Sequence, residues 1–423
     1  SEPPDASRLA VPPERVSLWF TARPQLAFSR VTLSGATGTI TLDTIVADTG
    51  NSIHARIPRA LQAGDYRVAW QTASADGHPI RGAFTFTVVA PALDAISPID
   101  SGPSSSTAPH AAHDVPQRDH TDYRSARWME FVALITILGA LGFRRGVLPP
   151  LAPRNVPTAD AADRARRLGQ GALFLYGLAA MVRLFAESVA LNGQARALAP
   201  DALVMLLTKT SWGMGWMTGV VGGLLLSVGW AISKRGVAMG TPLALTGALG
   251  LAASPALTGH AASSGWFVVA VTLDVVHVLA AGLWIGTLFM VLLAGVPAMR
   301  RLSDGNPDAA VSALVNSFHP LALLCAPIVV LAGLGTSVLR LGGVAPLTTT
   351  RYGLTLLVKI GIFLLLAAMA AYNSIRARRR LGTSEGTSHL RRTAAGELLL
   401  AALVIAATAF LVTTPAPSLM AQP

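Results

Sequence analysis

The most constraining feature of this sequence is a series of apolar stretches, each about 20 residues long, that recur from Arg124 onward. A helix of about this length is needed to cross a hydrocarbon core ~30 Å thick. The 124–414 region is therefore predicted to be an all-α polytopic membrane bundle of about eight transmembrane helices. The predicted spans are residues 125–148, 168–190, 210–231, 241–259, 266–295, 318–339, 352–374 and 394–414. The fourth is the weakest, because it is short, Gly-rich and interrupted by Pro255, and residues 200–208 are a candidate half-helix before the third.

Composition and charge agree with a membrane protein. Of the 423 residues, 52% are hydrophobic and 13% are charged, whereas a soluble domain has about 25% charged residues. The formal net charge is +11, which in a soluble protein would suggest a nucleic-acid partner. Here the Arg residues lie in short loops between apolar spans, so the expected partner is the lipid bilayer and no nucleic acid.

The loop charges also predict an orientation. Cytoplasmic loops of membrane proteins carry an excess of Lys and Arg. One side of the predicted bundle carries most of them: Arg144, Arg145, Arg154, Arg164, Arg166, Arg167, Lys234, Arg235, Arg300, Arg301, Arg376, Arg378, Arg379, Arg380, Arg391 and Arg392. The other side carries Arg196, Lys209, Arg340 and Arg351. We therefore expect an inner-membrane protein whose N-terminal region and C-terminal tail, residues 415–423, lie on the periplasmic or extracellular side.

The N-terminal region, residues 1–90, has the pattern of a small all-β domain. Alternating apolar residues at 16–20, 31–33, 39–42, 66–70 and 84–88 are separated by turn signals, which favours a sandwich or barrel. Residues 91–123 are rich in His, Pro and Ser without periodicity and are predicted to be a flexible linker. No signal peptide is visible before Ser1, so we expect that one was removed from a domain placed outside the cytoplasm.

Asp76-Gly77-His78 places a carboxylate and an imidazole two residues apart near the end of the β-domain. These donors suit Cu(II) or Zn(II) better than a soft monovalent ion, although Asp-Gly is also common in turns. Cys325 has no second cysteine to pair with, so any metal site must use His, Met, Asp or Glu. A metal-binding domain attached to a membrane bundle suggests metal uptake or metal tolerance.

Ionisable residues inside the predicted spans are candidates for function, because they are expensive to bury in lipid. Asp274 and His277 share one helical face and, with His260, are candidate metal ligands. Met214 and Met217 carry thioethers that suit Cu(I), but they fit interfacial packing equally well. His319 is a candidate exit ligand or a residue of the helix start. Cations repel metal ions, and we therefore expect structural ion pairs among Arg183, Glu187, Lys359 and Glu130.

These features together resemble a fusion of two copper-resistance families, CopC and CopD. The CopC-like part, about 1–89, is carried by Pro13-Glu14-Arg15-Val16-Ser17-Leu18, by residues 64–70 (Gly-Asp-Tyr-Arg-Val-Ala-Trp) and by 74–86. The CopD-like part, about 125–414, is carried by His277-Val278-Leu279-Ala280-Ala281-Gly282-Leu283-Trp284 and by Tyr352-Gly353-Leu354-Thr355.

The resemblance implies a cupredoxin-like Greek-key domain that binds Cu(II) through an N-terminal His and the two side chains of the Asp-Gly-His motif. Asp76 and His78 match the motif, whereas the N-terminal His would precede Ser1. The β-domain contains no Met, so a Cu(I) site is not expected there. The membrane domain is expected to handle Cu(I) or Cu(II).

The predicted function is capture of copper outside the cytoplasm and its movement across the membrane. No GxxxxGK[ST] loop is present, which argues against ATP as the energy source, and no enzymatic activity is expected. Periplasmic copper chaperones are candidate partners. Two alternatives remain open at this stage: a membrane-anchored tolerance module without transport, and a haem-binding redox protein that uses His260 and His277.

Overall fold

The computed structural model describes residues 1–20, 24–46, 50–73, 79–89, 121–259, 266–302, 306–377 and 384–414. The chain divides into two compact units, a β-domain and a helical domain. The predicted linker lies outside the described residues, apart from its last three, which belong to the first helix. The C-terminal tail from residue 415 also lies outside them.

The β-domain is a curled seven-stranded sheet. Its strands are β1 (Ser7–Leu9), β2 (Arg15–Trp19), β3 (Arg30–Gly35), β4 (Gly38–Val46), β5 (Ser52–Arg56), β6 (Gly64–Ala73) and β7 (Pro79–Val88). Their order in the sheet is β1-β7-β6-β3-β4-β5-β2. The run β6-β3-β4-β5 is a Greek key, because β6 returns to lie beside the first strand of a three-strand meander. All five predicted strands are present, whereas β1 and β5 were not predicted.

The long strand β4 causes the sheet to curl. Its residues 38–42 pair with β3 and its residues 43–46 pair with β5, so one strand serves both parts of the sheet. The alternating side chains that point inward form the core, including the buried Val16, Val31, Val68 and Phe86. This apolar core is the basis of the domain's stability, since burial of apolar surface is the dominant favourable term in folding.

The helical domain contains nine principal helices among the described residues. They are α1 (Thr121–Gly142), α2 (Ala159–Asn192), α3 (Pro200–Lys209), α4 (Ser211–Ser233), α5 (Gly240–Leu257), α6 (Phe267–Met299), α7 (Pro307–Leu341), α8 (Arg351–Tyr372) and α9 (Ser384–Val412). Seven of these, all except α3 and α5, are long and apolar enough to cross a membrane. Helix α3 is the predicted half-helix. Helix α6 contains two wider π-helical turns, Gly282–Gly286 and Val291–Gly295.

Helix α5 supplies the eighth hydrophobic helix of the bundle. It has 18 residues, which at 1.5 Å per residue gives about 27 Å. It runs antiparallel to α4 in close backbone contact. A Cβ atom on Gly247 would lie 2.5 Å from the Gly222 carbonyl oxygen, and one on Gly215 would lie 2.8 Å from the Thr258 nitrogen. Small residues at such contacts let membrane helices approach closely. The prediction of about eight helices agrees with this architecture.

Helix ends follow local capping signals that hydropathy does not detect. Helix α7 was expected to begin near residue 318, yet it begins at Pro307 because the Asn306 side chain accepts hydrogen bonds from the backbone N–H groups of Asp308 and Ala309, both at 3.1 Å. Asn at the N-cap followed by Pro at the first helical position is a favoured helix start. The first turns of α7 therefore continue the bundle beyond its apolar segment.

Candidate functional site

The predicted β-domain ligands Asp76 and His78 lie outside the described residues, as does His260. The strands on both sides of the Asp-Gly-His motif are β6 and β7, which pair continuously from Gly64 opposite Val88 to Ala73 opposite Pro79. The motif thus lies on the segment that connects the two longest strands of the domain.

The beginning of the described chain is fixed against β2. The main chain of Glu2 exchanges two hydrogen bonds with Ser17, both 2.8 Å long. Ser17 also bonds through its hydroxyl to Nδ1 of His54 at 2.9 Å, and the edge of the His54 ring faces Trp19. His54 is half-buried and held by these neighbours.

Helices α1 and α2 are joined by a buried ion network that consists of Arg127, Glu130 and Arg183. Glu130 Oε2 accepts hydrogen bonds from Arg183 Nη1 at 2.6 Å and from Arg127 Nη1 at 3.1 Å, and all three side chains are no more than 1% exposed. Arg183 also donates to the Tyr123 hydroxyl at 3.3 Å and stacks on the ring of Trp212. Buried charges are tolerated when they are paired and hydrogen-bonded in this way.

The same network reaches α5. Arg127 donates to the Thr258 hydroxyl at 3.2 Å and to the Pro255 carbonyl at 3.3 Å. Glu187, one turn after Arg183, is also buried. Sequence reasoning missed Arg127, although its spacing of three residues from Glu130 places the two on one helical face. The network joins α1, α2 and α5 through buried, paired side chains, which indicates a structural role.

Asp274 of α6 is paired with α7. Its Oδ2 accepts a hydrogen bond from Arg340 Nη2 at 2.5 Å, and its Oδ1 accepts one from the Thr336 hydroxyl at 3.2 Å. Arg340 in turn interacts electrostatically with Tyr352 of α8. Arg340 was expected in a loop, yet it lies on the last turn of α7. The negative charge of Asp274 is therefore already balanced by a protein cation.

His277, one turn after Asp274, is held by the backbone of α7. Its Nδ1 lies 3.0 Å from the Val329 carbonyl oxygen, which can only accept a hydrogen bond, so Nδ1 carries the proton and Nε2 carries the lone pair. Histidine ligands of metals commonly donate their other N–H to such a carbonyl. Gly333 leaves room for the ring, since a Cβ there would lie 3.1 Å from the His277 Cε1. Lys359 is close enough to interact electrostatically with His277.

The two candidate methionines do not share one environment. Met214 lies on the bundle surface with 55% of its area exposed, whereas Met217 is partly buried. Between them, Trp216 donates its Nε1–H to the Ala180 carbonyl at 2.9 Å and fixes this part of α4 to α2. Interfacial packing accounts for these contacts.

A group of polar residues lines a cavity between α6, α7, α8 and α9. Sequence reasoning named His319 among them as a candidate exit ligand but missed Asn373 and Glu397. Glu397 is 4% exposed and accepts a hydrogen bond from the side-chain amide of Asn373, which follows α8. The His319 ring bonds to the Ser374 hydroxyl at 3.4 Å nearby. The available signal was the acidic residue Glu397 inside a predicted span. Within the described part of the chain, no group of three or more His, Cys, Asp or Glu side chains is placed to hold a metal ion.

Family models match most of the chain in three segments. Residues 1–89 match the CopC domain, residues 122–269 match the Copper resistance protein D-like N-terminal domain, and residues 312–411 match Copper resistance protein D. The boundaries agree with the division between the β-domain and the helical domain. The β-domain and the bundle thus each match a copper-resistance family.

Individual proteins give the same result. The chain is 26% identical to the Copper transport protein CutJ of Bacillus subtilis (strain 168) over 99% of this chain and 73% of that protein. It is 34% identical to the Copper resistance protein C of Escherichia coli over 21% of this chain and 77% of that protein. The crystal structure of CopC from Methylosinus trichosporium OB3b is 23% identical, covers 22% of this chain and 92% of its own, and has a TM-score of 0.20. The chain belongs to the CopC–CopD fusions, a family of multi-pass membrane proteins for copper transport and resistance rather than of enzymes.

Proposed function

We propose that this protein captures copper ions outside the cytoplasm with its β-domain and moves them across the membrane without ATP. The observation that carries the proposal is the match to a copper transport protein along 99% of the chain, which includes the β-domain and the whole bundle. The positive-inside distribution of Arg and Lys supports a periplasmic position for the β-domain. Periplasmic copper chaperones are then the expected source of the metal.

The proposed ligands of the β-domain are Asp76 and His78, whose imidazole and carboxylate suit Cu(II). In the bundle, we assign His277 as a ligand on the copper path. Its Nδ1–H is held by the Val329 carbonyl, which orients the Nε2 lone pair in the manner of a metal ligand. Asp274 becomes available to copper when its pair with Arg340 opens, and His260 and the thioethers of Met214 and Met217 are further candidate ligands.

A specific observation favours a second function, a membrane-anchored copper-binding module without transport. Asp274 is already paired with Arg340, and Lys359 lies near His277, so these groups give the surroundings of His277 a net positive charge. Positive charge opposes the entry of a metal cation. In this case the β-domain binds the metal and the bundle serves as the anchor.

Copper entry into proteoliposomes that contain the full chain separates the two functions. A transporter gives time-dependent copper accumulation above that of empty liposomes, and His277→Ala reduces the rate by about tenfold or more through loss of a ligand. Phe174→Ala, on the bundle surface with 78% exposure, is the matched control and retains full transport. Copper binding without accumulation would instead establish the anchored module.

A further inference from the structure

A cavity of about 80 Å³ lies between α6, α7, α8 and α9. Its walls are largely apolar and include Trp284, Leu288 and Phe318. The polar residues that line it are His319, Asn373, Ser374, Arg391 and Glu397. Trp284, the wall residue nearest to His277 along α6, lies seven residues after it, roughly 10 Å along the axis, and His319 lies ten residues before Val329 on α7, roughly 15 Å. The cavity is therefore separate from the surroundings of His277.

The carboxylate of Glu397 has no cationic partner among the described side chains. It is 4% exposed and accepts one hydrogen bond, from the amide of Asn373. Arg391 lines the same cavity, but no salt bridge within 4.0 Å joins it to Glu397. An ionised carboxylate buried without a counter-ion is unfavourable, so this position requires either a bound cation or a proton.

Asn373 provides a second, independent indication of a ligand. Its side-chain nitrogen donates to Glu397, and its Oδ1 is buried without any hydrogen-bond partner, in a residue that is 8% exposed and lines the cavity. Buried acceptors in native proteins are nearly always satisfied. An unpaired amide oxygen next to a carboxylate in a cavity is an arrangement that a cation would complete.

The donor types select the class of cation. The imidazole of His319, the carboxylate of Glu397 and the amide oxygen of Asn373 are nitrogen and oxygen donors of the kind that Cu(II) and Zn(II) accept, while soft Cu(I) prefers thiolates and thioethers, which the cavity lining lacks. A water molecule needs about 10–15 Å³, so the cavity also has room for waters that complete the coordination. A site with few protein ligands binds weakly enough to release an ion in transit.

We propose that this cavity is a second metal-binding site of the bundle, in which Glu397, His319 and Asn373 hold a divalent cation of the copper(II) type. This inference rests on the proposed passage of metal through the bundle and adds a second binding site for the metal besides His277. Sequential weak sites are a general means of conduction, because each must admit and release the ion.

The test is Cu(II) binding to the full-length protein in lipid nanodiscs, monitored by electron paramagnetic resonance with Cu(II) as the only added metal. A protein that carries both His78→Ala and His277→Ala serves as the background, so that the β-domain and the His277 site contribute little signal. In this background we expect a bound Cu(II) with nitrogen coupling. We expect Glu397→Gln to weaken its affinity at least tenfold and His319→Ala to remove the nitrogen coupling. Phe174→Ala, on the exposed bundle surface and outside every proposed site, is the control and leaves this signal unchanged.

The outcomes are distinct from those of the transport assay. Unchanged Cu(II) affinity and unchanged nitrogen coupling in both cavity variants would contradict the proposed metal site. This is also the result expected if Glu397 simply holds a proton. If Glu397→Gln does not fold, Asn373→Ala replaces it and must also weaken binding. If the full chain gives the Cu(II) signal of the cavity but no copper accumulation in proteoliposomes, only the proposed function is contradicted. If it transports copper but gives no such signal, only the proposed metal site is contradicted.

Discussion

The two halves of the helical domain treat buried charge differently. In α1 to α5, the carboxylate of Glu130 is 1% exposed and is bonded to both Arg127 and Arg183. In α6 to α9, the carboxylate of Glu397 is almost equally buried, yet among the described side chains it is bonded only to the amide of Asn373. The first half therefore neutralises its charge with the protein's own groups, while the second leaves a charge for something else to neutralise.

The two halves also differ in how closely their helices pack. Helices α4 and α5 are in backbone contact at Gly222 and Gly247, whereas α6 to α9 surround a cavity. The two halves also correspond to separate family models, at 122–269 and 312–411. The first half is therefore closely packed with its charges paired, whereas the second half keeps polar groups beside a cavity.

The largest expected effect concerns the ion network of the first half. Arg183→Gln leaves the buried Glu130 with only Arg127, and breaking a buried ion pair typically costs about 3–5 kcal/mol. Thermal unfolding of the purified protein in detergent should therefore show a large decrease in stability. The control is Arg164→Gln, which removes an i,i+4 pair with the 50% exposed Asp160 and should cost at most about 0.5 kcal/mol. Equal losses for both variants would contradict a structural role for the network.

A smaller effect is expected at the contact between α4 and α5. Gly247→Ala places a methyl group 2.5 Å from the Gly222 oxygen, so the helices must separate, and overpacking of this kind costs about 1–3 kcal/mol. Gly177→Ala on α2 is the matched control, because nothing lies within 4 Å of its added Cβ. Replacing Gly there should be neutral or stabilise the helix by up to about 1 kcal/mol. The same unfolding assay compares them, and a Gly247→Ala protein as stable as the control would show that the contact is loose.

The smallest effect is expected for Asp274 in the second half. Asp274→Asn removes the charge that pairs with Arg340, and because both side chains are nearly 20% exposed, we expect a loss of about 1 kcal/mol. A double-mutant cycle with Arg340→Gln should recover this amount as a coupling energy. Strictly additive losses would mean that the two side chains act independently. A coupling energy as large as the stability loss expected for Arg183→Gln would mean that the two halves do not differ in the strength of their ion pairs.

Sequence reasoning succeeded where the signal is local. The strand alternation around Val16 and Val68 and the apolar runs of the bundle predicted the fold class, because both patterns follow from which faces are buried. The motif residues also carried the family resemblance, which the family models confirm. The half-helix at α3 was predicted from its short apolar run before the third span.

The parts that sequence reasoning missed depend on which helices are neighbours. Arg340 was placed in a loop because hydropathy falls near it, but α7 continues to Leu341 and ends at the left-handed Gly342, and Arg340 on its last turn pairs with Asp274. Asn373 and Glu397 are 24 residues apart, and no pattern along the chain shows that α8 and α9 bring them together. Such contacts are tertiary, so a one-dimensional pattern cannot predict them.

The π-helical turn Gly282–Gly286 in α6 has a consequence for the evolution of the chain. Such a turn closes hydrogen bonds from i to i+5 and so holds one residue more than an α-helical turn. A relative with a single-residue deletion here would lose the wide turn, while His277 before it and Val291 after it kept their neighbours. A deletion in the α-helical parts of α6 would instead rotate every later side chain by about 100° around the helix axis. Changes in length among relatives should therefore be tolerated at this turn and at the second wide turn, Val291–Gly295, and selected against along the α-helical parts of the helix.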